Sequence, residues 1–214
     1  DPFALRRGAL GIIRISLRNT NRFNLKAAIN KSLSFYPDYK NPDKIATEVF
    51  DFFKERLKQL RLAKGYQYDL VEAALESDWN DIRDVEKRMD ALVAVSKRES
   101  FNDLMITFKR ASRILPKERL SQSRVSENLL QEAAEKKLFE CFREISEGVE
   151  PLLHVQKYQA ALAEMVKLKP SLDTFFDQVM VMDEDARLRE NRLALLNNIT
   201  NLFGQVADVS KIVI

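Results

Sequence analysis

Side chains that ordinarily carry out reactions are scarce in this chain. Its 214 residues include one cysteine, Cys141, and one histidine, His154. Cys141 stands among apolar neighbours in Phe139-Glu140-Cys141-Phe142, which reads as a small core side chain of a helix rather than a nucleophile. A lone cysteine forms no internal disulfide and fits a reducing cytoplasm. His154 follows Pro151-Leu152-Leu153 at an expected helix start. One histidine cannot build a His/Cys metal cluster, and a Ser-His-Asp array would have to use that residue. The five glycines are scattered, so no phosphate-cradling loop is expected. The reading is therefore no catalytic residue, no metal and no cofactor on this chain.

Charge is the more informative property. The net charge of +3 hides an uneven distribution. Residues 1–65 hold 14 Lys+Arg against 6 Asp+Glu, residues 66–150 hold 14 against 18, and residues 151–214 hold 7 against 8. A strongly basic N-terminal part suits a polyanionic partner. Within it Arg7, Arg14 and Arg18 fall within about 40° on a helical wheel, and Lys54, Lys58 and Arg61 repeat the arrangement. Parallel rows of cations can track a phosphate backbone, and they can equally be solvated helix faces. A second basic cluster runs from Lys97-Arg98 through Lys109, Arg110, Arg113, Lys117 and Arg119 to Arg124, with 8 basic residues against 3 acidic. It is read as a helix end and the loop after it, a setting in which arginine both stacks on unpaired bases and pairs with phosphate.

The elements that must position these residues read as helices throughout. Few glycines and prolines separate long runs rich in Ala, Leu, Lys, Glu and Arg, and no strand-like alternation competes. Segments are expected at about 3–18, 25–35, 42–64, 69–75, 82–95, 100–115, 126–148, 152–169, 170–182 and 184–203. Pro42 opens the third and Gly65 suits its C-terminal cap. Ser126 is expected to cap the seventh. Phe175, Val179 and Met182 share a face and read as bundle core. Asp177 and Arg192 are read as a structural ion pair or as caps of neighbouring helices. No apolar run approaches the roughly 18 residues of a membrane span and no signal peptide opens the chain, so a soluble protein with no membrane partner is expected. The start at Asp1 rather than Met reads as a piece cut from a longer polypeptide. The fold class is all-α, divided into a smaller basic helical region, 1–65, and a helical bundle, 66–214.

Several stretches resemble a known family. Asp1-Pro2-Phe3-Ala4-Leu5-Arg6-Arg7-Gly8-Ala9-Leu10-Gly11-Ile12-Ile13-Arg14-Ile15 closely resembles a segment of the β subunit of bacterial-type glycyl-tRNA synthetase. The end is similar to that subunit's C-terminus, in Phe175-Phe176-Asp177-Gln178-Val179-Met180-Val181-Met182, Leu188-Arg189-Glu190-Asn191-Arg192-Leu193, Leu202-Phe203 and Val206-Ala207-Asp208-Val209-Ser210. Phe108-Lys109-Arg110-Ala111-Ser112-Arg113-Ile114-Leu115 resembles a family segment that usually has asparagine at the place of Arg113, where arginine suits a phosphate contact.

The resemblance implies an assembly of two α and two β subunits in which the α subunit binds ATP and glycine and the β subunit positions glycine tRNA. It implies that the C-terminal part is a helical anticodon-binding domain similar to that of arginyl-tRNA synthetase. A body-tail region and a domain resembling HD phosphohydrolases would precede it, with the opening motif at the end of the HD-like region. Glycine codons begin GG, so the anticodons end in two cytosines, whose amino groups need an acceptor. Arginines would hold such a loop, and an acidic side chain or main-chain carbonyl nearby would read it. Two other readings remain: a helical protein–protein adaptor whose basic rows meet acidic surfaces, and a hydrolase remnant of HD type, which the absence of any His-Asp pair in 1–65 argues against.

Overall fold

Helix termini in this chain are set by identifiable polar groups. The structure is a computed structural model and describes residues 2–19, 22–36, 40–116 and 124–213. Its helices are α1 (Pro2–Arg18), α2 (Leu25–Leu33), α3 (Pro42–Leu62), α4 (Tyr68–Leu75), α5 (Ile82–Ser96), α6 (Glu99–Ile114), α7 (Ala133–His154), α8 (Tyr158–Met165), α9 (Lys169–Gln178) and α10 (Ala186–Gly204). Asn24 caps α2 by accepting from Ala27 N at 2.8 Å, and Asp81 caps α5 by accepting from Arg83 N and Asp84 N. The α3 helix ends as expected at Gly65, whose φ of +86° lets Tyr66 N and Gly65 N reach back to the carbonyls of Arg61 and Leu62.

Several boundaries differ from the sequence reading, and at both ends of α7 the cause is local. Ser126 opens only a 3-10 turn, Glu127–Leu129, and α7 begins at Ala133. The cause is a capping box: Glu135 accepts from the amides of Gln131 at 2.7 Å and Glu132 at 2.9 Å, which fixes the first turn there. At the other end, Pro151 does not break α7, because a proline in the last turn forfeits a single intrahelical bond. The helix stops instead at Val155, with Gln156 in the left-handed region (φ 57°) and Lys157 N bonded to Leu152 O at 2.8 Å.

One continuous set of buried apolar side chains runs from Ile13 on α1, through Leu57, Leu70, Val85, Leu104, Leu138, Leu162 and Phe175, to Phe203 and Ile212. In the N-terminal part α1, α2 and α3 pack together, with α1 and α3 also reaching α5 and α4. In the C-terminal part α7 packs on α8, α9 and α10, and α6 lies against α9 and α10. The last residues return to α4: Asp208 N donates to Ala73 O at 2.8 Å and Val213 N to Asp69 at 2.7 Å.

The axial registers of α6, α9 and α10 follow from their contacts. Thr107 donates to Asp173 at 2.7 Å, and Arg110 lies 4.6 Å over the Phe176 ring, so α6 and α9 run the same way and end together. Phe108 packs on Phe203 at 4.1 Å while Leu115 shares a groove with Ala194, so α10 runs back antiparallel. The C-terminal ends of α6 and α9 and the start of α10 therefore meet at one end of the bundle.

Candidate nucleic-acid interface

Three of the predicted cations are gathered at that common end. Arg110, Arg113 and Arg124 are exposed there, and Lys109 is half-buried beside them. Lys117 and Arg119 lie outside the described residues. Arg110 stacks its guanidinium on Phe176 and donates to Phe176 O at 3.4 Å. Beside them is a groove of about 580 Å³, lined by Leu115, Pro116, Arg124, Arg187, Glu190 and Asn191, among others. Sequence reasoning missed Arg187 and Glu190. The only signal for them was their place in the first turns of the helix that Asp185 caps, accepting from Arg187 N at 2.9 Å.

A buried polar hub lies beneath this end. Arg192 pairs with the fully buried Glu135, bonds to Asp183 Oδ2 at 2.7 Å and donates to Met180 O at 2.9 Å. Its neighbour Asn191 clasps the backbone at Ser126, accepting from Ser126 N at 2.7 Å and donating to Ser126 O at 3.1 Å. Two expectations are corrected here. Arg192 is a structural ion-pair residue, but its partners are Glu135 and Asp183, because Asp177 sits in the last turn of α9 with its side chain exposed. Phe175 and Val179 are core, whereas Met182 is 59% exposed, since α9 ends at Gln178 and the helical periodicity ends with it.

Further along α9, Lys169 and Thr107 both bond to Asp173. Partial burial works against that carboxylate, but the two donors outweigh it and its pKa lies below the ordinary 3.8. Asp183 is also lowered, by the amide of Asp185 and by Arg192.

The other predicted cations are distributed differently. Arg7, Arg14 and Arg18 lie exposed along one stripe of α1. The α3 row is not available in the same way. Lys54 meets Glu76 at 3.2 Å, Lys58 pairs with Glu72 and donates to Tyr68 at 3.2 Å, and Arg61 is fully buried, 2.7 Å from Glu86. Burial opposes the Lys58 charge, yet Glu72 and Tyr68 overcome it and its pKa is raised. This row is a seam of ion pairs joining α3 to α4 and α5. Lys97 and Arg98 precede α6, so its 16 residues, about 24 Å of helix, separate them from Arg113. Arg98 lines a different groove, with Lys87 and Lys157. Among the described residues no three His, Cys, Asp or Glu side chains are grouped so as to hold a metal ion.

Comparison with known proteins assigns the family. Residues 1–76 match the model of the glycyl-tRNA synthetase beta subunit, and residues 104–212 match that of the DALR anticodon binding domain. The chain belongs to the glycyl-tRNA synthetase beta subunit family. It is similar to the glycine–tRNA ligase beta subunit of Myxococcus xanthus, with 40% identity over 99% of the chain, and to that of Clostridioides difficile, with 36% identity over 100%. The corresponding subunit of Colwellia psychrerythraea is 39% identical over 98% of the chain. In each case the chain spans 31% of the relative's length. The DALR match runs from within α6 through α10 and so contains the end of the bundle where Arg110, Arg113 and Arg124 lie. No helix among the described residues is long and apolar enough to cross a membrane.

Proposed function

We propose that this chain is the tRNA-binding part of a glycyl-tRNA synthetase β subunit, holding the anticodon region of glycine tRNA while the α subunit aminoacylates it. The observation that carries this reading is that three exposed arginines, Arg110, Arg113 and Arg124, lie toward one end of the helices matched by the anticodon-binding family. Guanidinium groups there can stack on unpaired bases and pair with phosphates. In the same reading ATP and glycine bind to the α subunit, two α and two β subunits assemble, and the enzyme works in the cytoplasm. The basic region 1–65 serves as a phosphate-contacting platform through Arg7, Arg14 and Arg18, and 66–214 is the anticodon-binding unit.

A variant with Arg110→Ala and Arg113→Ala in the intact enzyme tests this. It should lower kcat/KM for the normal transcript far more than for one with a changed anticodon, whose recognition is already impaired. Equal losses on both would place the cluster away from the anticodon.

A protein-binding role for α1 is favoured by a separate observation. Leu5, Ile12 and Ile15 are exposed on one face, and a Cβ at Gly8 or Gly11 would meet nothing within 4 Å. Such a face suits apolar protein surface rather than RNA. Hydrogen exchange of α1 in the intact enzyme would show strong protection if this face is covered.

A further inference from the structure

We propose that Asp177 reads the anticodon, its exposed carboxylate accepting a hydrogen bond from the exocyclic amino group of an unpaired cytosine beside Arg110 and Met180. This rests on the anticodon-binding reading above and assigns the residue that discriminates within it.

Three observations converge. The first is that Asp177 has no structural task. Arg192 is matched by Glu135 and Asp183, and among the described residues no hydrogen bond or ion pair engages the Asp177 carboxylate. The second is its position. Asp173 and Asp177 are four residues apart on α9 and share a face. Arg110 stacks on Phe176, the residue before Asp177, and donates to Phe176 O at 3.4 Å, so its guanidinium lies close to the backbone that carries Asp177 in the last turn of α9.

The third is the apolar surface next to it. Met180 is 72% exposed and Met182 is 59% exposed, on a segment whose backbone Arg192 grips through Met180 O. Thioethers held out on a fixed backbone offer polarisable surface to a base face, while Arg110 offers a stacking plane.

The chemistry selects one base edge. An ionised carboxylate only accepts hydrogen bonds, and arginine only donates. Cytosine presents an amino donor where uracil presents a carbonyl acceptor. A carboxylate at this place therefore bonds to cytosine and leaves uracil facing a like partial charge. The neighbouring carboxylates are less suited, since Asp173, Asp183 and Asp185 are already engaged. Glu190, on the adjacent groove, is the control.

The test uses the intact enzyme with Asp177→Asn, Asp177→Ala and Glu190→Gln, and glycine tRNA transcripts carrying cytosine or uracil at each of the last two anticodon positions. Asp177→Asn should lower kcat/KM for the cytosine transcript about tenfold or more and raise it for uracil at one position, because an amide can donate to the uracil carbonyl. Thermal unfolding should be unchanged, as the side chain is exposed. Equal effects on both transcripts, or the same inversion produced by Glu190→Gln instead, would overturn the assignment. If the Arg110 and Arg113 variant still separates the transcripts while Asp177→Asn does not, only this inference fails. If no anticodon change alters the rate of the unmodified enzyme, the anticodon-binding reading fails and takes this one with it.

Discussion

Removing the Arg192 side chain should be among the most damaging single changes in this chain. Its guanidinium is 4% exposed, and Glu135, which it faces, is 0% exposed. In Arg192→Met the carboxylate of Glu135 keeps two backbone donors, Gln131 N and Glu132 N, but loses its counter-charge inside the protein. Breaking a buried pair in this way costs about 3–5 kcal/mol. Met180 O loses a donor as well, and the Asp183 contact adds little because that carboxylate is partly solvated. For a chain of this size each kcal/mol moves Tm by about 2–4 °C, so a fall of about 6–20 °C is expected.

Glu135→Gln should recover part of the loss, since a neutral amide needs no counter-charge. A double-mutant cycle should then show coupling of about 1–3 kcal/mol. Asp177→Ala is the contrast and should cost less than about 0.5 kcal/mol, because nothing buried depends on it. Urea unfolding followed by circular dichroism measures all four. A cost below about 1 kcal/mol for Arg192→Met, or an Asp177→Ala cost equal to it, would refute the reasoning.

Two further outcomes follow from the charge arrangement. In tRNA binding by the intact enzyme, Arg14→Ala with Arg18→Ala should flatten the log–log salt dependence by about 0.7–0.9 for each phosphate no longer neutralised. Lys54→Ala with Lys58→Ala should leave that slope unchanged, since Glu76 and Glu72 already neutralise those cations. A flattened slope in the second variant would return the α3 row to the interface.

Stability should also fall in acid. The Asp173 and Asp183 carboxyls titrate below the ordinary 3.8, and Asp185 is lowered to about 2 by the Arg187 side chain and amide. A carboxylate lowered on folding contributes stability that is complete above its unfolded pKa and is lost as pH falls through the folded value. Unfolding should therefore become easier from about pH 4 downward, and Asp173→Asn should weaken that dependence. An unchanged pH profile in Asp173→Asn would show that its pairing with Lys169 and Thr107 contributes nothing.

What the sequence determined was the class of structure and the faces of its helices. Apolar residues at 3.6-residue spacing, Pro42 at a helix start and Gly65 at a helix end act within a few residues of themselves. Their consequences are therefore local and readable. The motif around Arg110 and the ending from Phe175 onward were equally legible, because they are contiguous. Periodicity also aligned Lys54, Lys58 and Arg61 on one stripe, but it says nothing of what faces a stripe. Glu76, Glu72 and Glu86 arrive from the next two helices, and only the packing of α4 and α5 against α3 turned a basic row into an ion-pair seam. Lys97 and Arg98 precede the Arg110 cluster in sequence, yet the rigid length of α6 separates them from its end, and Arg98 lines another groove. Asp177 looked like the partner of Arg192 until Glu135, 57 residues away from Arg192, took that place in the buried hub. A charge in sequence is fixed, but the tertiary structure decides whether solvent, a phosphate or another side chain faces it, because Coulombic pairing depends on distance in space.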